Sequence, residues 1–177
     1  GPDWYQAAGR PHFISASGRI KEPGIKLVPA GVTAKQLITD YCGGMEDDHE
    51  FYAFLPGGAS GGILPADKCD IPMDFGTLDE FGCFVGSSAV VIFSKSDNIG
   101  DICKNLIHFF EDESCGQCTP CRIGCEKMLK LIDKPIWDKT LITELSDTMR
   151  DASICGLGQA APNPVLSAMR FFSEEIS

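Results

Sequence analysis

Three cysteines at successive three-residue steps constrain this chain more than any other feature. They lie in Cys115-Gly116-Gln117-Cys118-Thr119-Pro120-Cys121, where one helical pattern ends and the next begins. Disulfides between such near neighbours are strained, so the spacing speaks for metal ligation. Three thiolates on one curling turn can converge on an inorganic cluster, and iron–sulfur clusters of this kind take four Cys thiolates. Gly116 frees the turn for unusual backbone angles. Amides of the turn and of the following helix start favour negative charge nearby.

Two residues compete to be the fourth ligand. Cys125 would complete C-x2-C-x2-C-x3-C, the ferredoxin run. In ferredoxins that last Cys serves a second cluster and precedes Pro. Here Glu126 follows, and the sequence has no second quartet. Cys155 lies in Ser153-Ile154-Cys155-Gly156-Leu157-Gly158, a Gly-rich stretch able to fold back over the first three. The spacing favours Cys155. Zinc is the alternative metal, but a four-cysteine zinc site normally uses two separated C-x2-C pairs. Arg122, next to Cys121, would favour a more negative, reduced cluster; the simpler reading is a solvated helix charge.

The remaining totals narrow the class. Nine cysteines in 177 residues, with no signal-peptide pattern at the start, point to a reducing, cytoplasmic setting. Charge is acidic, 25 Asp+Glu against 15 Lys+Arg, which argues against nucleic-acid binding. No apolar run is long enough for a membrane span.

Texture changes along the chain. Residues 1–11 read as a linker. Residues 12–96 hold most of the Gly and Pro, with strands over His12–Gly18, Ile25–Val28, Phe51–Leu55 and Phe84–Phe93 and a helix over Ala34–Tyr41 capped by Thr33. Residues 97–177 read as four helices: Asn98–Glu113, Pro120–Ile132, Ile136–Arg150 and Pro164–Glu175. The fold class expected is α+β, a small sheet domain followed by a four-helix bundle.

Other signals carry less. Gly156-x-Gly158-x-x-Ala161 matches a dinucleotide fingerprint, yet it lacks the preceding strand and is followed by Pro162 and Pro164. Gly57–Gly62 lacks the Lys-Ser/Thr ending of a P-loop and reads as a turn or docking loop. Cys42, Cys69, Cys83 and Cys103 read as small buried residues. His12, His49 and His108 form no ligand-spaced pair, and no nucleophile–base pair stands out.

The string Ser114-Cys115-Gly116-Gln117-Cys118-Thr119-Pro120-Cys121-Arg122, with Gly124 and then Cys155-Gly156-Leu157-Gly158, closely resembles the C-terminal part of the flavin-binding, NADH-oxidising subunit of complex I and its relatives. Those relatives include NAD-dependent formate dehydrogenase β subunits and the diaphorase subunits of NAD-reducing hydrogenases. Ile14–Gly18, Pro23-Gly24 and Leu55-Pro56-Gly57-Gly58 resemble the family's ubiquitin-like β-grasp (SLBB) domain. The resemblance implies a β-grasp domain followed by an iron–sulfur-binding four-helix bundle. It implies Cys115, Cys118, Cys121 and Cys155 as ligands of a [4Fe–4S] cluster, with Gly156 and Leu157 near FMN. The family's GRGGAGFPTG-type flavin loop has no counterpart here. FMN and NAD(H) are therefore expected in another domain of a longer subunit or in a partner chain. Further partners implied are a [2Fe–2S] thioredoxin-like subunit and a larger iron–sulfur catalytic subunit.

The function expected is one-electron transfer through the cluster between flavin and other iron–sulfur subunits of an NAD-linked oxidoreductase. The Cys155-Gly-Leu-Gly-Gln-Ala-Ala-Pro string stands nearer the formate dehydrogenase and hydrogenase types than respiratory complex I. On this reading the chain alone is not catalytic. The alternative is a non-catalytic assembly module in which the cluster only stiffens the bundle.

Overall fold

The computed structural model describes residues 2–7 and 9–176. Two compact units divide the chain. The first takes residues 1–58 and 63–97; the second takes Ala59–Gly62 and residues 98–177.

Pro2–Ala7 forms a short helix, α1, in the stretch expected to be a linker. Gly1 and Ala8 of that stretch, and Ser177 at the other end, lie outside the described residues. The first unit is built on five strands: β1 His12–Gly18, β2 Gly24–Val28, β3 Phe51–Leu55, β4 Leu64–Pro65 and β5 Ala89–Ser94. Their order is β2-β1-β5-β3-β4, with β1 and β5 parallel at the centre and the other pairs antiparallel. A central parallel pair made of the first and last strands is the β-grasp arrangement. Strand alternation sets the two faces. Ile14, Ala16, Val90 and Ile92 are buried on one, whereas Phe13, Ile25 and Leu27 are exposed on the other.

Helix α2 (Ala34–Gln36) begins at Thr33, whose hydroxyl accepts from the Gln36 N–H at 3.1 Å while the Gln36 amide oxygen accepts from the Thr33 N–H at 3.0 Å. That reciprocal pair is a capping box. The helix continues as a π-helical turn through Leu37–Tyr41, and Ala34, Leu37 and Ile38 are buried. Strand β5 starts at Ala89 rather than Phe84. Gly86 and Ser88 have φ of 48° and 56°, left-handed values that no strand accommodates.

The second unit is helical: α3 Ile99–Asp112, α4 Thr119–Ile132, α5 Lys139–Ala152, α6 Gly156–Ala160 and α7 Asn163–Phe171. Asn98 caps α3 by accepting from the Asp101 N–H at 2.9 Å, and Asp138 caps α5 by accepting from Leu141 at 3.0 Å. Ile99, Cys103, Ile107 and Phe110 of α3 are buried with Met128 and Ile132 of α4, Ile142 and Met149 of α5, and Val165 and Ala168 of α7. Helix α5 starts three residues later than the expected Ile136. Trp137 turns inward and its indole N–H donates to the Ile132 carbonyl at 3.0 Å, closing the end of α4, while Ile136 stays exposed. The segment expected as one fourth helix is α7, preceded by the short α6. Ala59–Gly62 joins this unit through the Asn163 amide, which donates to the Ser60 carbonyl at 2.9 Å.

Candidate metal centre

The turn between α3 and α4 carries Cys115, Cys118 and Cys121. Gly116 adopts φ 74°, the left-handed conformation that glycine takes without steric cost. The Ser114 hydroxyl accepts from the Gly116 N–H at 3.3 Å and lies 3.3 Å from the Cys121 sulfur. Arg122 donates from its guanidinium to the Gly116 carbonyl, so the turn is tied at both ends. Cys118 is the N-cap residue of α4 in extended conformation, with Pro120 in the first turn where its missing N–H costs nothing.

The α5–α6 loop closes onto this turn. Gly158 of α6 packs so tightly that a Cβ there would lie 2.7 Å from the Cys121 Cβ and 2.5 Å from the Ser153 Oγ. The Cys118 thiol is held below its ordinary range, first by the backbone N–H of Ile154 and then by that of Cys121. The Cys118 side chain makes no capping bond to α4, but both contacts aim positive N–H ends at the sulfur and favour its thiolate. Ser153 adds a weaker push in the same direction. The loop thus touches Cys118 with Ile154 and Cys121 with Gly158, and Cys155 stands between those two contacts as the N-cap of α6. Cys115 and Cys155 are exposed, Cys118 is half-buried and Cys121 is buried.

Cys125 is fully buried one turn beyond Cys121. Burial, then the neighbouring Cys121, pushes its thiol up to about 12, so it stays protonated at neutral pH.

Among the described residues, no three His, Cys, Asp or Glu side chains close on a point tightly enough for a single ion. A cubane makes a different demand. Its ligands bind four separate irons at its corners, so they surround a volume instead of meeting at a point.

Comparisons with known proteins place this region among oxidoreductase iron–sulfur regions. The family model described as the NADH-ubiquinone oxidoreductase-F iron-sulfur binding region matches residues 101–177. The NADP-reducing hydrogenase subunit HndC of Solidesulfovibrio fructosivorans is 33% identical over 186 residues, spanning 99% of this chain and 38% of the relative. The F component of the NADH-quinone oxidoreductase of Escherichia coli is 33% identical over 187 residues, spanning 99% of this chain and 42% of the relative. The chain is similar, over residues 101–177, to the iron–sulfur binding region of this oxidoreductase family. It spans less than half the length of these relatives. A crystal structure of an NAD+-reducing [NiFe]-hydrogenase in the H2-reduced state superimposes with a TM-score of 0.85 at 28% identity, covering 99% of this chain and 31% of that one.

The cofactor that goes with this oxidoreductase-F region is a [4Fe–4S] cluster. The donor set fits it: soft thiols, one of them biased toward thiolate by the backbone N–H groups of Ile154 and Cys121. Gly156 and Leu157, expected near flavin, occupy the first turn of α6, and a Cβ on Gly156 would meet nothing within 4 Å. Arg122 braces the turn through its bond to the Gly116 carbonyl. Two residues that the sequence reading passed over also line the centre, Ser114 and Ser153. Ser114 stood inside the motif without a role; Ser153 gave no signal.

Proposed function

We propose that this chain holds one [4Fe–4S] cluster through Cys115, Cys118, Cys121 and Cys155 and relays single electrons within an NAD-linked oxidoreductase complex. When bound, the cluster supplies a reversible one-electron site. The chain's residues fix where that site stands. Ile154 and Cys121 direct N–H groups to the Cys118 sulfur, and Gly158 holds the fourth-ligand loop on α4 by close contact with Cys121. The contact of this loop with both Cys118 and Cys121 carries the assignment.

Gly156 bears on the flavin side. Its φ is not left-handed and its surroundings are open, so nothing among the described residues requires glycine there. We take the missing side chain as room for FMN, brought by another domain or a partner chain, with Leu157 beside it. Hydride exchange with NAD(H) then belongs to that domain or chain. A [2Fe–2S] thioredoxin-like subunit and a larger iron–sulfur subunit are the other partners in this reading. A hydrogenase or formate dehydrogenase setting fits best, and a respiratory NADH:quinone oxidoreductase next. An NAD(P)-linked assembly is supported by the relatives, since HndC serves an NADP-reducing hydrogenase and the superimposed structure is an NAD+-reducing one. Among the described residues no helix is long and apolar enough to cross a membrane.

The test is anaerobic reconstitution of the chain with iron and sulfide, followed by iron analysis and electron paramagnetic resonance of the reduced sample. A reversible one-electron signal from a cubane is expected. A chain that takes up zinc and no iron, or a cluster that cannot be reduced, would overturn the proposal.

A further inference from the structure

We propose that two serine hydroxyls, Ser114 and Ser153, donate hydrogen bonds to the sulfurs of Cys121 and Cys118 and thereby raise the reduction potential of the cluster held there. This inference rests on the ligand assignment above and extends it to the groups behind the ligands.

Ser114 is fixed by two contacts. Its oxygen accepts the Gly116 N–H at 3.3 Å, and the Cys121 sulfur lies 3.3 Å away. A hydroxyl has one hydrogen to donate, and the Gly116 contact uses a lone pair instead. A cysteine acting as a ligand is a thiolate and can only accept. The Ser114 hydrogen therefore points to the Cys121 sulfur.

Ser153 presents the complementary case. It is 6% exposed, and its Oγ is the buried side-chain oxygen that finds no hydrogen-bond partner of ordinary geometry among the described residues. Burying a hydroxyl without a partner is costly, and native structures rarely leave one so. The side chain cannot easily swing to a new acceptor, because Gly158 lies directly over it. Its neighbour Ile154 aims an N–H at the Cys118 sulfur, and the Ser153 hydroxyl lies on the same side of that sulfur. The acceptor it lacks is a charged Cys118 sulfur.

Hydrogen bonds to ligand sulfurs stabilise the more negative, reduced cluster more than the oxidised one, which moves the potential upward. The two serines approach different ligands, so their effects should add.

The experiment uses the full chain with a reconstituted cluster. Ser114→Ala, Ser153→Ala, the double variant and Ser114→Thr are compared by redox titration followed by electron paramagnetic resonance. Iron content and thermal unfolding are measured in parallel. Each alanine variant should keep its full iron and shift to a more negative potential. The double variant should shift by the sum, and threonine at 114 should restore the parent value. Unchanged potentials with iron retained would refute the tuning role. Loss of iron from an alanine variant would also refute it, making that serine structural. Cys118→Ser or Cys121→Ser retaining full iron would instead sink the ligand assignment beneath it.

Discussion

Gly158→Ala sets two effects against each other, and their sizes decide the outcome. Gly158 lies in α6, where alanine should help: its higher helix propensity favours folding by about 0.8–1 kcal/mol. The same methyl would sit 2.5 Å from the Ser153 Oγ, 2.7 Å from the Cys121 Cβ and 2.8 Å from the Ser153 Cβ. All are well inside contact distance. The Cys121 Cβ is fixed to α4, and Ser153 is buried, so neither can step aside as a long side chain could. Overpacking costs typically about 1–3 kcal/mol, and rigid neighbours put this site toward the top of that range. The net expectation is destabilisation by about 1–2 kcal/mol, or a fall in melting temperature of roughly 4–16 °C for a unit this small. Because the methyl pushes against Cys121 itself, iron occupancy should fall as well. Gly124→Ala is the matched control. The atoms nearest its methyl would all be Met149's, Cγ at 2.6 Å and Sδ at 2.7 Å. Methionine can repack, so this substitution should cost less and spare the iron. Calorimetry and iron analysis of both variants test the reasoning. Gly158→Ala melting at or above the parent with full iron would show that the α6 loop does not press on α4.

Further outcomes follow from the same structure. Cys155→Ser should lose or convert the cluster while Cys125→Ser keeps it, read from iron content and the visible spectrum. Gly156→Val should leave iron, melting temperature and cluster potential near the parent values, yet slow flavin-to-cluster electron transfer in the assembled complex, read by rapid-mixing spectroscopy. In the first unit, hydrogen bonding from Arg19, at 2.7 Å, holds the Asp97 carboxyl down to about 2. A carboxylate depressed in the folded state contributes stability above its unfolded value near 3.9, and that contribution fades as pH falls toward about 2. Since Arg19 is half in water, solvent screens much of that contribution. Asp97→Asn should therefore flatten the loss of stability between pH 4 and 2 in acid unfolding.

How far the sequence alone reaches depends on the kind of signal. Helices α3 and α4 were legible because apolar spacing and local punctuation coincide: Asn98 caps one, and Pro120 opens the other. Strands β1 and β3 alternate or run apolar between turns, and both end where the sequence places them. The start of α5 was misread for a tertiary reason. Ile136 and Trp137 continue a helical pattern, but the Trp137 indole is drawn to the Ile132 carbonyl. Helix α6 was hidden by its own composition, since Gly156 and Gly158 argue for a loop until the contact between Gly158 and Cys121 is seen. The cysteine spacing made the centre legible. The serines were not, because what marks Ser153 is an unmet hydrogen bond inside a folded loop, and no spacing encodes that.

The exposure of the four cysteines also bears on what a cluster here would be for. A cluster that merely stiffened the bundle would serve best enclosed on every side, as structural metal sites are closed. Here the inner side rests on buried Cys121 and Ser153, while Cys115 and Cys155 face outward beside Ile154, which is 73% exposed. An exposed aliphatic residue next to a proposed ligand suits a surface completed by another protein, and an open edge would suit electron transfer. The two readings differ in a measurable way. Ile154→Asp should barely alter the melting temperature or the iron content of the isolated chain, because the side chain buries almost nothing. In the assembled complex it should weaken docking and slow electron exchange at the cluster, since a carboxylate would be buried without a partner. If the variant matched the parent in both assembly and electron-transfer rate, the outward side of the centre would have no role in transfer, and the stiffening role would be the better account.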